Sequence, residues 1–104
     1  MYKVLIVDDD PIQCRLAQDV VERAGFTPIL AHSGAEALAV WRDGEGIGAM
    51  ILDLVMPEMD GMAVLEAMRR EGHAIPVIVQ TAQSSLDTVV SAMRLGATDF
   101  FVKP

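Results

Sequence analysis

Cysteine is almost missing: Cys14 stands alone in 104 residues. No internal disulfide can form, so packing has to hold the chain together, and the usage fits a reducing cytoplasm. Positive charge is scarce too, with 8 Lys and Arg against 15 Asp and Glu and a net charge of -7. A domain of that sign is repelled by phosphate backbones and anionic lipid, which argues against binding nucleic acid or membrane by itself. Its apolar runs fall far short of the roughly 20 residues that span a bilayer, and no charged start plus apolar stretch suggests a signal peptide. The glycines of Gly44-Glu45-Gly46-Ile47-Gly48 lack the spacing and the following Lys-Ser/Thr of a nucleotide-binding loop, so the stretch reads as a connector. No Ser/Thr/Gly-rich phosphate loop follows the first apolar run either, which disfavours flavin.

What the chain does have is apolar mass: 52% hydrophobic residues, enough for the core of one domain. Uninterrupted Val/Leu/Ile at Lys3 to Val7 suggests a strand covered on both faces, as in parallel sheets. Asp10-Pro11 opens a helix, with Asp as N-cap and proline at the first helical position. Leu16, Val20, Val21 and Ala24 are expected to face the core, and Gly25 ends the helix. Cys14 reads as a small buried apolar residue. A strand from Thr27 to Ala31 follows. Ser33-Gly34-Ala35-Glu36 then forms a capping box for a helix through Trp41. Ala49 to Leu52 is a third strand, Gly61 to Arg70 a helix with Val64, Leu65 and Met68 as its stripe, and Gly72 its stop. Pro76 to Gln80 is strand four. Ser84-Ser85-Leu86-Asp87 starts a fourth helix whose Leu86, Val89, Val90 and Met93 fall on one face expected to be buried. Gly96 ends it, and a fifth strand leads into Lys103-Pro104.

Alternating strands and helices with short loops predict an α/β fold: a five-stranded parallel sheet, order 2-1-3-4-5, with helices on both faces. In that order the carboxyl ends of strands one and three adjoin at the switch point, where ligands bind. Four apolar runs end there in polar groups: Asp8-Asp9-Asp10, Asp53, Thr81 and Lys103. Two carboxylates about 4 Å apart repel by roughly 4 kcal/mol at an effective dielectric near 20, so a shared proton or a cation is required. A hard divalent ion with oxygen ligands, Mg²⁺, answers best. Asp53, alone at the central strand, is the expected nucleophile of phosphoryl transfer. Asp8 and Asp9 would hold the metal, Lys103 would neutralise phosphoryl charge, and Thr81 would donate a hydrogen bond past the small Ala82. Plainer roles exist: Asp10 as an N-cap, Asp53 as a turn residue, Lys103 as an edge charge. Their coincidence at four strand ends favours a site. His32 and His73 lack partners and read as surface residues; the seven methionines and Trp41 read as packing.

The stretches Val7-Asp8-Asp9, Leu52-Asp53-Leu54-Val55-Met56-Pro57, Met59-Asp60-Gly61, Thr81-Ala82, Gly96-Ala97-Thr98-Asp99-Phe100 and Lys103-Pro104 resemble the receiver domain of two-component response regulators. The resemblance covers nearly the whole chain, and within the family it is nearest the nitrogen-regulation-type transcription activators. It implies that Asp53 takes a phosphoryl group from a phosphohistidine of a sensor histidine kinase or phosphotransfer protein. Asp9 would ligate Mg²⁺ directly, Asp8 mainly through water, with Asp53 and the backbone carbonyl of Val55 completing the set. Thr81 and Phe100 match the family's switch pair, and Val55 and Gln83 the positions that tune acyl-phosphate hydrolysis. The domain would act as a cytoplasmic signalling module catalysing its own phosphorylation and dephosphorylation, with a transcriptional output and a homodimer among its expected associations.

A fifth helix follows Lys-Pro in that family and does not follow it here. Residues 1–104 are therefore expected to be a receiver truncated at its C-terminus, cut from a protein whose output domain comes later. Part of the first helix and the adjoining sheet would then be bare. Two rival readings stay open: a haloacid-dehalogenase-type phosphatase with Asp8 as nucleophile, and a pseudo-receiver that docks without taking phosphate. The phosphatase would need a larger core and a further acidic motif.

Overall fold

A computed structural model describes residues 2–44, 46–72, 75–82 and 86–103. Strands and helices alternate along the chain: β1 (Lys3–Val7), α1 (Pro11–Arg23), β2 (Thr27–Ala31), α2 (Gly34–Asp43), β3 (Ile47–Asp53), α3 (Gly61–Arg70), β4 (Val77–Thr81), α4 (Leu86–Arg94) and β5 (Asp99–Val102). The five strands pair in parallel in the order β2-β1-β3-β4-β5. This is the expected topology. Right-handed crossovers first step one way from β1 and then the other, which leaves β1 and β3 as neighbours at the reversal.

Side chains alternate across the sheet and build two unequal cores. Leu5, Val7, Met50, Leu52, Val77 and Val79 are fully buried on one face, against Leu38 of α2 and Val64, Leu65 and Met68 of α3. On the opposite face, among the described residues, a smaller cluster joins Val4, Ile6 and Val21, with Ala17, Leu30, Ala49 and Ile51 packed on them. Helix starts follow local chemistry. The carboxylates of Asp10 and Asp60 accept from the backbone N–H of Ile12 and Ala63, both at 2.9 Å, and Ser33 Oγ accepts from Glu36 N–H at 3.1 Å. The Asp10 cap thus has its plainer role, whatever else the residue does.

Several boundaries and faces differ from expectation. Helix α1 rests on the sheet through Cys14, Ala17 and Val21, spaced i, i+3 and i+7, so Leu16, Val20 and Ala24 turn outward. Leu16 and Val20 border an open groove of about 200 Å³ together with Gln13, Ile51, Gln80 and Phe101. The bare apolar face expected beside α1 is this groove. Helix α4 is also rotated: Val89 and Ala92 are buried, whereas Leu86, Val90 and Met93 are exposed. An apolar stripe records that a face is apolar, not that something covers it.

Strand β3 begins at Ile47, two residues before the expected Ala49. Gly48 belongs to it, and Tyr2 lies across that backbone and donates its hydroxyl to Gly48 O at 2.6 Å. A Cβ there would meet the tyrosine ring at 2.3 Å. Strand β4 runs Val77–Thr81, not from Pro76. The expected helix start at Ser84-Ser85, His73, Gln83 and Pro104 lie outside the described residues. Among the described residues no helix is long and apolar enough to cross a membrane.

Candidate functional site

The sheet register assembles the site. Val7 pairs with Leu52, so Asp8 and Asp53 follow side by side at the ends of β1 and β3. Asp53 pairs with Gln80, and Gln80 with Phe101. Neighbours on one rung of a parallel sheet point the same way. Beyond β5, the Lys103 N–H donates to Thr81 O at 2.9 Å, fastening the start of the Lys103 segment to the end of β4.

Asp8 is completely buried and Asp53 is 4% exposed, an unusual depth for two carboxylates. Each has partners. Asp8 Oδ1 accepts from the Asp10 N–H at 2.9 Å, and its Oδ2 from Lys103 Nζ at 2.6 Å and from Gln80 Nε2 at 3.5 Å. Asp53 Oδ1 accepts from the Val55 N–H at 3.2 Å, and its Oδ2 lies 3.2 Å from Lys103 Nζ. Burial pushes the Asp53 carboxyl above its ordinary value; the Asp8 charge pushes the same way, against the opposing pull of the Val55 N–H and of Lys103. Burial by itself would lower the Lys103 ammonium, but its bonds to the two carboxylates outweigh that and raise it. The lysine is therefore charged at neutral pH and offsets the repulsion between the two acids it bridges.

Asp9 is exposed at the rim. One carboxylate oxygen from each of Asp8, Asp9 and Asp53 lies within 4.8 Å of the others. Oxygen donors alone, close together and carrying net negative charge, suit a hard dication such as Mg²⁺, whose ligands stand at about 2.0–2.1 Å. The donor set fits. A backbone carbonyl from the loop after β3 is the contribution expected of Val55.

That loop is built tightly. Leu54 and Met56 are buried, Val55 is 53% exposed, and Glu58 adopts φ 63°, a left-handed conformation uncommon outside glycine. Gly61 closes the loop by donating its N–H to Leu54 O at 3.1 Å. A Cβ at Gly61 would lie 2.3 Å from the Asp53 carbonyl oxygen, so only glycine lets α3 start this close to Asp53.

Among the other expected site residues, Thr81 is buried at the end of β4 and Phe100 is 41% exposed on β5. Ala82, next to Thr81, is small and exposed. Cys14 is buried as expected, and its thiol also donates to the Asp8 backbone oxygen at 3.2 Å, bracing the acid cluster from below. Burial, helped by Asp8 and Asp10, pushes that thiol's pKa up, which keeps it protonated and inert. His32 is exposed, as expected of a surface residue, and its Nδ1 lies 3.7 Å from Cys14 Sγ. Sequence reading missed Gln80. An amide directly after Val77-Ile78-Val79 marks the position as polar, but its partners come from cross-strand register.

Known proteins match this arrangement closely. Residues 4–104 match the family model of the response regulator receiver domain. The chain is 39% identical over 101 residues to the transcriptional regulatory protein ZraR of Salmonella typhimurium, covering 97% of this chain and 23% of that one. It is 39% identical over 104 residues to the transcriptional regulatory protein CpxR of Escherichia coli, covering 100% of this chain and 44% of that one. Thus it spans about a quarter of the first relative and under half of the second. Among solved structures, a complex of CheX, CheY, beryllofluoride and Mg²⁺ from Borrelia burgdorferi matches with a TM-score of 0.92 at 30% identity, over 99% of this chain and 78% of that one. The chain belongs to the receiver domains of response regulators.

Proposed function

We infer that this receiver takes a phosphoryl group on Asp53 from a phosphohistidine and uses the modified state to switch an output. The observation that carries this is the pair of buried carboxylates, Asp8 and Asp53, bridged by one ammonium at 2.6 and 3.2 Å. In the reaction an Asp53 carboxylate oxygen attacks phosphorus in line with the leaving imidazole. A P–O bond forms, the P–N bond breaks, its electron pair stays on the imidazole nitrogen, and that nitrogen takes up a proton. Burial supports this role by making Asp53 more basic than an ordinary aspartate, while the charge on Lys103 favours its ionised form.

Asp9, Asp53, the Val55 carbonyl and, through water, Asp8 would hold Mg²⁺. When bound, the ion supplies positive charge to the phosphoryl oxygens. Lys103 would supply further positive charge, and Thr81, buried at the end of β4, would donate its hydroxyl to one of those oxygens. Phosphorylation adds charge and acceptors at one point, which biases a two-state surface. Thr81 and Phe100 would carry that bias to the exposed face of α4 and β5. Leu86, Val90, Met93 and Phe100 stand exposed there. A transcriptional output is proposed from the names of ZraR and CpxR, and a sensor kinase or phosphotransfer protein as donor from the family. The domain would be a signalling module, not an enzyme acting on a separate substrate.

Asp8 is the poorer nucleophile of the two, since it is fully buried where Asp53 is 4% exposed, and it holds Lys103 more closely, at 2.6 against 3.2 Å. Incubation with acetyl phosphate, with and without Mg²⁺, followed by intact-mass measurement tests the proposal. One added phosphoryl group is expected, dependent on Mg²⁺ and lost in Asp53→Asn. A label that persists in that variant sinks the assignment, and no label in wild type favours a docking module.

A further inference from the structure

Gln80 has no part in the chemistry assigned above, yet it stands on the same rung as Asp53. It is 5% exposed on a central strand, where a Val or Ile would pack equally well. Burying an amide is unfavourable unless it is hydrogen-bonded. Its contact with the site, Nε2 to Asp8 Oδ2 at 3.5 Å, lies at the outer limit of a hydrogen bond. The resting arrangement therefore returns little for the amide, which otherwise lines the open groove beside α1.

Lys103 connects the amide to the phosphorylated state. Its Nζ is 2.6 Å from Asp8 Oδ2 and 3.2 Å from Asp53 Oδ2, so in the resting site it leans toward Asp8. A phosphoryl group on Asp53 brings further negative charge to the Asp53 side and draws the ammonium there. Asp8 Oδ2 then loses its nearest donor in a position with no exposure to water. Even beside an ion that Asp8 would hold only through water, a buried carboxylate oxygen without a direct donor is unfavourable. The donor already aimed at that oxygen is the Gln80 amide.

We propose that Gln80 is a positioning residue that takes over Asp8 Oδ2 when Lys103 turns to the phosphoryl group, so that the lysine can serve Asp53 without stranding Asp8. The residue touches neither the phosphoryl donor nor the reacting oxygen; it acts through Asp8 and Lys103. This inference rests on the phosphoacceptor reading and deepens it.

Beryllofluoride, which stands in for the phosphoryl group, separates this role from a structural one. Two affinities are measured by calorimetry in wild type and in Gln80→Met, which keeps length and packing but cannot donate: Mg²⁺ alone, and beryllofluoride at saturating Mg²⁺. The variant is expected to bind beryllofluoride about tenfold more weakly, the loss of one hydrogen bond to a charged group, with Mg²⁺ affinity changed far less. A residue that only fills space would move neither affinity, or both together. In wild type, the Gln80 side-chain amide signals should shift downfield in the NMR spectrum as beryllofluoride binds, a reading that does not depend on the variant folding. Equal beryllofluoride affinity in wild type and variant, or amide signals that stay put, overturns the inference alone. Failure of wild type to bind beryllofluoride overturns the phosphoacceptor reading and this inference with it.

Discussion

Replacing Asp53 by Asn should make the protein more stable, although it destroys the proposed acceptor. The Asp53 carboxylate lies within 4.8 Å of an Asp8 oxygen, a repulsion of about 3–4 kcal/mol at an effective dielectric near 20. Asp9 adds a smaller term, since it is exposed and screened by solvent. Desolvating the ion costs several kcal/mol more. Against these stands Lys103 at 3.2 Å, worth about 5 kcal/mol on the same scale. Asparagine removes the charge, keeps an oxygen for the Val55 N–H, and leaves Lys103 on Asp8. The net gain is about 2 kcal/mol at pH 7, or roughly 5–10 °C in melting temperature for a domain of this size. Thermal unfolding followed by circular dichroism in EDTA reads it directly. The sign with pH follows from the raised Asp53 value: the penalty is present above that value and absent below the ordinary carboxylate range, so the gap should close as pH falls toward about 4. Mg²⁺ should also narrow it, because wild type gains more from the ion. An Asn variant melting at or below wild type in EDTA at pH 7 would refute the electrostatic account.

Other consequences are quicker to state. Val55 is exposed beside the acceptor and offers no polar side chain to orient water, so the acyl phosphate should be long-lived; Val55→Asn should shorten its lifetime in a dephosphorylation time course, and equal decay rates would remove the idea. Gly61→Ala should cost several kcal/mol in chemical denaturation, because its methyl has nowhere to go beside the Asp53 carbonyl and the Leu54 Cα at 2.7 Å. The exposed Arg42–Glu71 pair, in contrast, should be dispensable, with Arg42→Ala leaving the denaturation midpoint unchanged within error. The apolar groove beside α1 should drive concentration-dependent self-association of this chain in light scattering, and a monomer at all concentrations would count against it.

The fold and most of the site could be read from the chain because a parallel sheet translates strand ends into one edge. Asp8, Asp53 and Lys103 are far apart in sequence, yet each follows an apolar run, and right-handed crossovers leave one common order for five such runs. Periodicity was weaker on orientation. Leu16 and Val20 on α1, and Leu86, Val90 and Met93 on α4, belong to real apolar stripes that face outward, since a stripe carries no label for its partner. Gln80 went unseen for a related reason. Its neighbours on the rung are set by cross-strand register, which single-strand patterns do not contain.

The central claim is that the phosphoryl group goes to Asp53 within a cluster completed by Asp8, Asp9 and Lys103. A crystal structure of this chain with Mg²⁺ and beryllofluoride addresses it in one step. The account predicts beryllium bonded to an Asp53 carboxylate oxygen, the metal held by Asp9, Asp53 and the Val55 carbonyl, and Lys103 on a fluorine. Beryllium on Asp8, or an Asp53 left bare with the metal elsewhere, would contradict it.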